Sequence, residues 1–159
     1  MLKRFLLKTL LLIIGGILLF TLVFRVKRWE GNAMSPFVRD GDLCIFLRSR
    51  TVSAGEIVLY QDPDGERRIG RIAAVSGQEI DLLDSGGYTV DGYEPLEEIP
   101  YETAAAEESS VTYPLKLGEN QLFILNDFRS VSEDSRSFGP VDGSQVFGSL
   151  LLLFRRRGF

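Results

Sequence analysis

The stretch Trp29-Glu30-Gly31-Asn32-Ala33-Met34-Ser35-Pro36-Phe37-Val38-Arg39-Asp40-Gly41-Asp42 separates a long apolar run from everything that can form a folded domain. Gly31 permits a positive φ or the close approach of another chain. Pro36 stops any helix and biases Ser35 toward an extended backbone, so residues 31–36 are expected to run extended. Arg39-Asp40-Gly41-Asp42 is a turn. Leu43-Cys44-Ile45-Phe46-Leu47 behind it has the length and residue types of a buried strand. The stretch thus predicts the entry to a β domain placed just beyond an apolar segment.

Upstream, residues 5–24 are apolar except for Lys8. About 20 such residues span a bilayer core, and a lysine near one end reaches back to the interface. Phe24 is followed by Arg-Val-Lys-Arg-Trp-Glu and not by the small-residue site at which a signal peptide is cut. The run is therefore read as an uncleaved anchor, with Trp29 at the far interface. Three Lys or Arg stand on each flank, so charge does not orient it.

Downstream, Glu56–Tyr60, Arg67–Val75, Glu79–Leu83, Tyr88–Val90, Gln121–Leu125 and Gln145–Phe154 read as short strands. Asp62-Pro63-Asp64-Gly65 is a turn, and Asp91-Gly92 suits a tight hairpin. Tyr101–Ser110 reads as a mobile acidic loop and Asn126–Gly139 as a polar loop. Residues 146–154 are too short for a second span and close the chain as a core strand, with Arg155–Arg157 reaching toward lipid phosphates. Many short strands between Gly, Pro and Asp turns predict a mostly β domain with a coiled or barrel-like sheet.

Composition narrows the chemistry. Of 18 basic groups, six lie within residues 1–28, leaving twelve against all 22 acidic groups in the rest. So acidic a domain is a poor partner for nucleic acid. The one cysteine, Cys44, forms no internal disulfide and reads as a buried small hydrophobe. The absence of histidine removes His-ligated metals, Ser-His-Asp triads and Cys-His pairs. No metal or cofactor is expected.

The order of segments resembles the type I signal peptidases (serine peptidase family S26), membrane-bound serine proteases that remove signal peptides. Their active-site segment reads G-x-S-M-x-P followed by G-D, against Gly31, Ala33, Met34, Pro36 and Gly41-Asp42 here. Ala54-Gly55-Glu56-Ile57-Val58 resembles their G-D-I-V strand. Gly70-Arg71-Ile72 with Gly77 falls where the family has K-R-V-I-G-x-P-G, and Val90-Asp91-Gly92 resembles a V-N-G turn. The fullest match is Asn126–Gly139 against G-D-N-R-x-x-S-x-D-S-R-x-x-G, with Asp127, Arg129, Ser132, Asp134, Ser135, Arg136 and Gly139 agreeing. The resemblance implies a signal-peptidase-like β-sheet or barrel domain at 29–159. Residues 1–28 would be a cytoplasmic stub and single-pass anchor in the cell membrane, with the domain extracytoplasmic. It also implies that Asp127 pairs with Arg71 and Asp134 with Arg136, and that Ser132 would hold the family's catalytic lysine. The other reading of this box is a solvated loop, since exposed ion pairs contribute about 0–1 kcal/mol.

The chemistry itself is missing at both positions that the family uses. Its serine nucleophile falls at Ala33 and its lysine base at Gly70. A serine needs a base to take its proton, and a lysine serves when burial lowers its pKa. The fallback nucleophile is Ser35, on the same face as Ala33 if the segment is extended. Outside residues 1–28 the only lysine is Lys116, and arginines do not accept protons. Gly31 offers an oxyanion no hydroxyl, which leaves the backbone N–H of residue 33.

Signal-peptidase homologues without Ser and Lys occur in the pilus-assembly loci of Gram-positive bacteria, where they aid pilin polymerisation alongside sortases. By resemblance, the chain is then an assembly or peptide-binding factor whose partners are the bilayer, an extended peptide or pilin-like secreted protein, and a sortase. The alternative is an active signal peptidase that uses Ser35. Gly31, Met34, Pro36, Arg71, Asp127, Ser132, Asp134 and Arg136 are the expected peptide-binding or site-supporting residues.

Overall fold

A computed structural model of the chain describes residues 2–48, 51–96, 99–107, 109 and 111–155. Helix α1 (Leu2–Val23) is uninterrupted and, from Lys3 to Val23, long and apolar enough to cross a membrane. It passes directly into strand β1 (Phe24–Arg28), which pairs antiparallel with β2 (Leu43–Leu47) from Phe24 opposite Leu47 to Arg28 opposite Leu43. The β domain thus begins at Phe24. The expected boundary at residues 28 and 29 placed this strand in the anchor, because alternating Arg and Lys after an apolar run look like interfacial charges.

The remaining strands are β3 (Ile57–Gln61), β4 (Arg67–Ala74), β5 (Glu79–Leu82), β6 (Tyr88–Val90), β7 (Leu115–Lys116), β8 (Gln121–Leu125), β9 (Val141–Asp142) and β10 (Val146–Phe154). Seven of them form one antiparallel sheet in the order β1-β2-β10-β3-β4-β8-β9, and β6-β5-β7 form a smaller one. Register shifts within β10 and between Ile72 and Ala74 mark bulges. Such bulges bend and twist a sheet, and the large sheet curls into a half-barrel. The last strand lies between β2 and β3, inside this sheet.

β3 shows why these strands read as unbroken apolar runs. Ile57 and Leu59 enter a core with Trp29, Met34, Val38, Cys44, Phe46 and Ile69. Val58 and Tyr60 face the other way, into a core with Ile72, Leu122, Ile124 and Val141. A third cluster, including Ala74, Ile80, Tyr88, Leu117 and Phe123, joins the two sheets. Trp29, expected at a membrane interface, is instead a core residue only 7% exposed. Burial, with the Asp42 charge second, pushes the Cys44 thiol up to about 11, which keeps it protonated and inert at neutral pH.

Two loops also depart from their sequence readings. Asp91-Gly92 forms a tight turn that closes only the single bridge between Val90 and Tyr93. The 101–110 segment is tied down at Thr103, which is buried and donates its N–H to the Gly86 carbonyl at 2.6 Å. Residues 108 and 110 of that segment, like Arg156 and Arg157 of the tail, lie outside the described residues.

Candidate functional site

Residues 31–38 form consecutive turns and not an extended strand. The Ser35 N–H bonds the Asn32 carbonyl at 2.9 Å, and the Val38 N–H bonds the Met34 carbonyl at 2.8 Å. Gly31 has φ +95 and gives its N–H to Asp40 Oδ1 at 2.8 Å, which closes the segment on itself. The fully buried Met34 side chain pulls the turn into the core. The segment as a whole turns, whatever the local bias that Pro36 places on Ser35. Ala33 and Ser35 therefore do not share the face of a strand, which was the basis for Ser35 as a stand-in nucleophile.

The turn is docked on the start of the 126–139 box. The Ala33 carbonyl accepts the Phe128 N–H at 2.9 Å, and Met34 Sδ lies 3.4 Å from the Asp127 N–H. Asp127, 1% exposed, in turn holds Arg71 by two parallel bonds, Nε to Oδ1 at 2.8 Å and Nη2 to Oδ2 at 2.7 Å. Arg71 also donates from Nη1 to the Gly55 carbonyl, and its guanidinium lies 5.3 Å from the centre of the Phe37 ring. Asp127 thus ties the box to the strand that bears Gly70 through its carboxylate, and to the turn that bears Ala33 through its backbone and that of Phe128.

Asn126, Arg129, Asp134, Ser135 and Arg136 of the box are buried, not solvated, whereas Ser130 and Glu133 are exposed. Asp134 caps the short helix α2 (Ser135–Phe138) by accepting the Arg136 N–H at 3.0 Å. It also accepts Arg136 Nε at 2.9 Å, Arg136 Nη2 at 2.7 Å and the Asn126 N–H at 2.9 Å. Arg136, 1% exposed, spends its other donors on the carbonyls of Ala104, Arg129 and Val131. Ser135 Oγ accepts the Ile124 N–H. Asp134 and Arg136 satisfy each other's charge by hydrogen bonds, the condition under which ions stay buried. The apparent polarity of the loop is a polar core of its own.

At the base position the structure adds what sequence could not. Gly70 is buried in β4 opposite Val58. A Cβ built there would lie 2.4 Å from Ile124 Cγ2, 3.2 Å from Tyr60 Cε1 and 3.3 Å from the Leu125 carbonyl oxygen. Position 70 is not an empty slot. It is filled by a β-branched methyl and an aromatic edge, both in the packed core. Burial, followed by the charge of Asp134, raises the pKa of the Tyr60 hydroxyl, so that group is no base at neutral pH either. Lys116 belongs to the other sheet, in register opposite Glu79.

Two clefts flank these residues. The first, about 640 Å³, is lined by Pro36, Phe37, Gly55, Arg71, Asp127 and Leu153 among others. The second, about 990 Å³, holds Ser132 and Arg136 with Arg129 and the 100–107 segment. Met34, Pro36, Arg71 and Asp127 are therefore brought together, whereas Ser132 faces a different cleft. Ser132 instead accepts the Ser137 hydroxyl and, at 2.7 Å, the Asp134 N–H on its carbonyl. Phe37 and Leu153 were not singled out from sequence, and Arg155 was read only as part of a tail reaching toward lipid phosphates. Arg155 meets Asp42 at 3.2 Å and the Phe37 carbonyl at 2.7 Å, so it pins the cleft wall and does not reach toward lipid. The only sequence signal for that pair was the Gly41-Asp42 motif.

Comparisons with known proteins agree with this fold. The family model "Signal peptidase, peptidase S26" matches residues 2–154. The chain is 27% identical over 156 residues to signal peptidase I V of Bacillus subtilis, covering 85% of this chain and 92% of that protein. It is 22% identical over 143 residues to signal peptidase IB of Staphylococcus aureus, covering 79% and 74%. The crystal structure of a signal peptidase I from Enterococcus faecalis superposes with a TM-score of 0.55 at 24% identity, covering 64% of this chain and 97% of that one.

Proposed function

We propose, from the premise that the chain belongs to the signal peptidase family S26, that it is a membrane-anchored homologue which binds extended peptides without hydrolysing them. The observation that carries this reading is the packing at Gly70, where Ile124 lies 2.4 Å from the place of a side-chain Cβ. A chain that had merely lost its lysine would keep a cavity there, whereas this core has closed over the position. Ala33 removes the nucleophile from the facing turn. Hydrolysis through Ser35 has no observation in its favour. Its segment is not the extended strand that would set it on the face of Ala33, and Asp127 is held bidentate by Arg71.

What remains suits binding. The cleft bounded by Pro36, Phe37 and Leu153 presents apolar surface beside the Arg71 guanidinium, and Phe37 is 51% exposed. An extended chain can lay alternate side chains against such a surface. α1 would hold the cleft at the membrane, with residues 1–4 cytoplasmic and the β domain outside. By the resemblance to pilus-assembly homologues, the ligand is a secreted pilin-like chain, handled beside a sortase.

A fluorescently labelled pilin-like peptide should bind the detergent-solubilised protein saturably and be recovered intact by mass spectrometry. Phe37→Ser should weaken binding about tenfold, the scale of burying one large apolar side chain. Binding unaffected by Phe37→Ser would place the ligand elsewhere, and recovered fragments would contradict the reading.

A further inference from the structure

We propose that Arg25, Arg48 and Arg67 form a site for the phosphate of an anionic phospholipid headgroup, where α1 leaves the bilayer. The inference rests on reading α1 as a membrane anchor. Its 22 residues make a rod of about 33 Å, against a hydrocarbon core of about 30 Å. Val23, its last residue, therefore lies at the headgroup layer. There the Val23 carbonyl accepts the Arg48 N–H at 2.9 Å, and Arg25 follows two residues on.

Phe147 of β10 organises the cluster. The Arg25 guanidinium lies 4.8 Å and the Arg67 guanidinium 5.3 Å from the centre of its ring. Burial lowers the Arg25 pKa, and the like charges of Arg48 and Arg67 lower it further. Its Nε is enclosed and makes no hydrogen bond. This is unusual in so acidic a domain. Arg68, Arg71, Arg136 and Arg155 each bond a carboxylate. Among the described residues no carboxylate forms an ion pair with Arg25, Arg48 or Arg67. Two guanidinium groups held over one ring, with the like charge of Arg48 beside them and no carboxylate paired to any of the three among the described residues, are arranged for an external anion. A phosphodiester offers tetrahedral oxygens to several such forks at once, and the headgroup layer presents that group at this height.

The test uses the full chain in nanodiscs of phosphatidylcholine, with and without phosphatidylglycerol, and native mass spectrometry to count lipids retained on ejection. The wild type should retain the anionic lipid preferentially. Arg48→Gln and Arg67→Gln, both at exposed positions, should each reduce the preference about fivefold, while Lys116→Gln leaves it unchanged. Equal retention of both lipids, or a preference that survives the double substitution, would overturn the site while leaving the anchor reading intact. A chain that fails to enter nanodiscs would overturn both. Arginine-dependent binding of inorganic phosphate to the solubilised protein, as tight as that of the lipid, would make the ligand a soluble anion and sink the lipid assignment.

Discussion

Gly70→Lys is expected to destabilise the domain by on the order of 5 kcal/mol and not to create a general base. Two costs add. Forcing atoms into a packed core costs about 1–3 kcal/mol, and an ammonium without a partner costs several more. The obstacle is stiff. The atom 2.4 Å from the new Cβ is Ile124 Cγ2, on a side chain with little rotamer freedom, and the next neighbours include the Leu125 carbonyl oxygen. Ala33→Ser with Gly70→Lys should therefore yield a poorly folded protein and not a restored peptidase. Thermal melts of Gly70→Ala, Ile124→Ala and the double variant report the cause, because relief of the clash makes the pair cost less than the sum. A Gly70→Lys protein that melts with the wild type would show that the position has room.

Asp127→Ala should cost about 3 kcal/mol, near the lower end of the range for breaking a buried pair on one side. The lower end applies because the Arg71 side chain keeps 18% exposure, against 1% for Asp127. The backbone bonds that seat the Ala33 turn on Asp127 and Phe128 survive the substitution, so the loss falls on the tie between the box and the strand of Arg71. A fall in Tm of roughly 10 °C corresponds to this for a domain of this size. Glu133→Ala is the matched control. It bonds Arg68 at 2.8 Å but is 72% exposed, so its loss should cost under about 1 kcal/mol. Equal small effects from the two variants would mean that the Arg71 pair is solvated.

The β architecture was readable because apolar runs such as Leu43–Leu47 and Gln121–Leu125 stand between Gly, Pro and Asp turns, and observed strands occupy both. β1 escaped because its pairing partner β2 lies fifteen residues and several turns away, and Phe-Arg-Val-Lys-Arg alone looks like a membrane flank. The 31–36 turn was misread for a similar reason. Local proline bias pointed to an extended chain, whereas the burial of Met34 that seats the turn on the core is tertiary. In the 126–139 box the residues that agree with the family motif were visible, but whether they were solvated depended on partners as distant as Arg71 and Ala104. Gly70 shows the limit most sharply. Its missing side chain was plain in the sequence, whereas the filling of its space by Ile124 and Tyr60 depends on the register of β3, β4 and β8.

The central claim is that this protein binds without cutting. The most direct test is a time course of a signal-peptide precursor with the wild-type protein in detergent, beside Ser35→Ala and a sample without protein. Activation of a nucleophile by a base supplies about 10²–10⁴-fold, and neither group is present at the family's positions. The three curves should coincide, with the precursor intact throughout. Turnover by the wild type that disappears in Ser35→Ala would contradict the account and make the protein a peptidase with a displaced nucleophile.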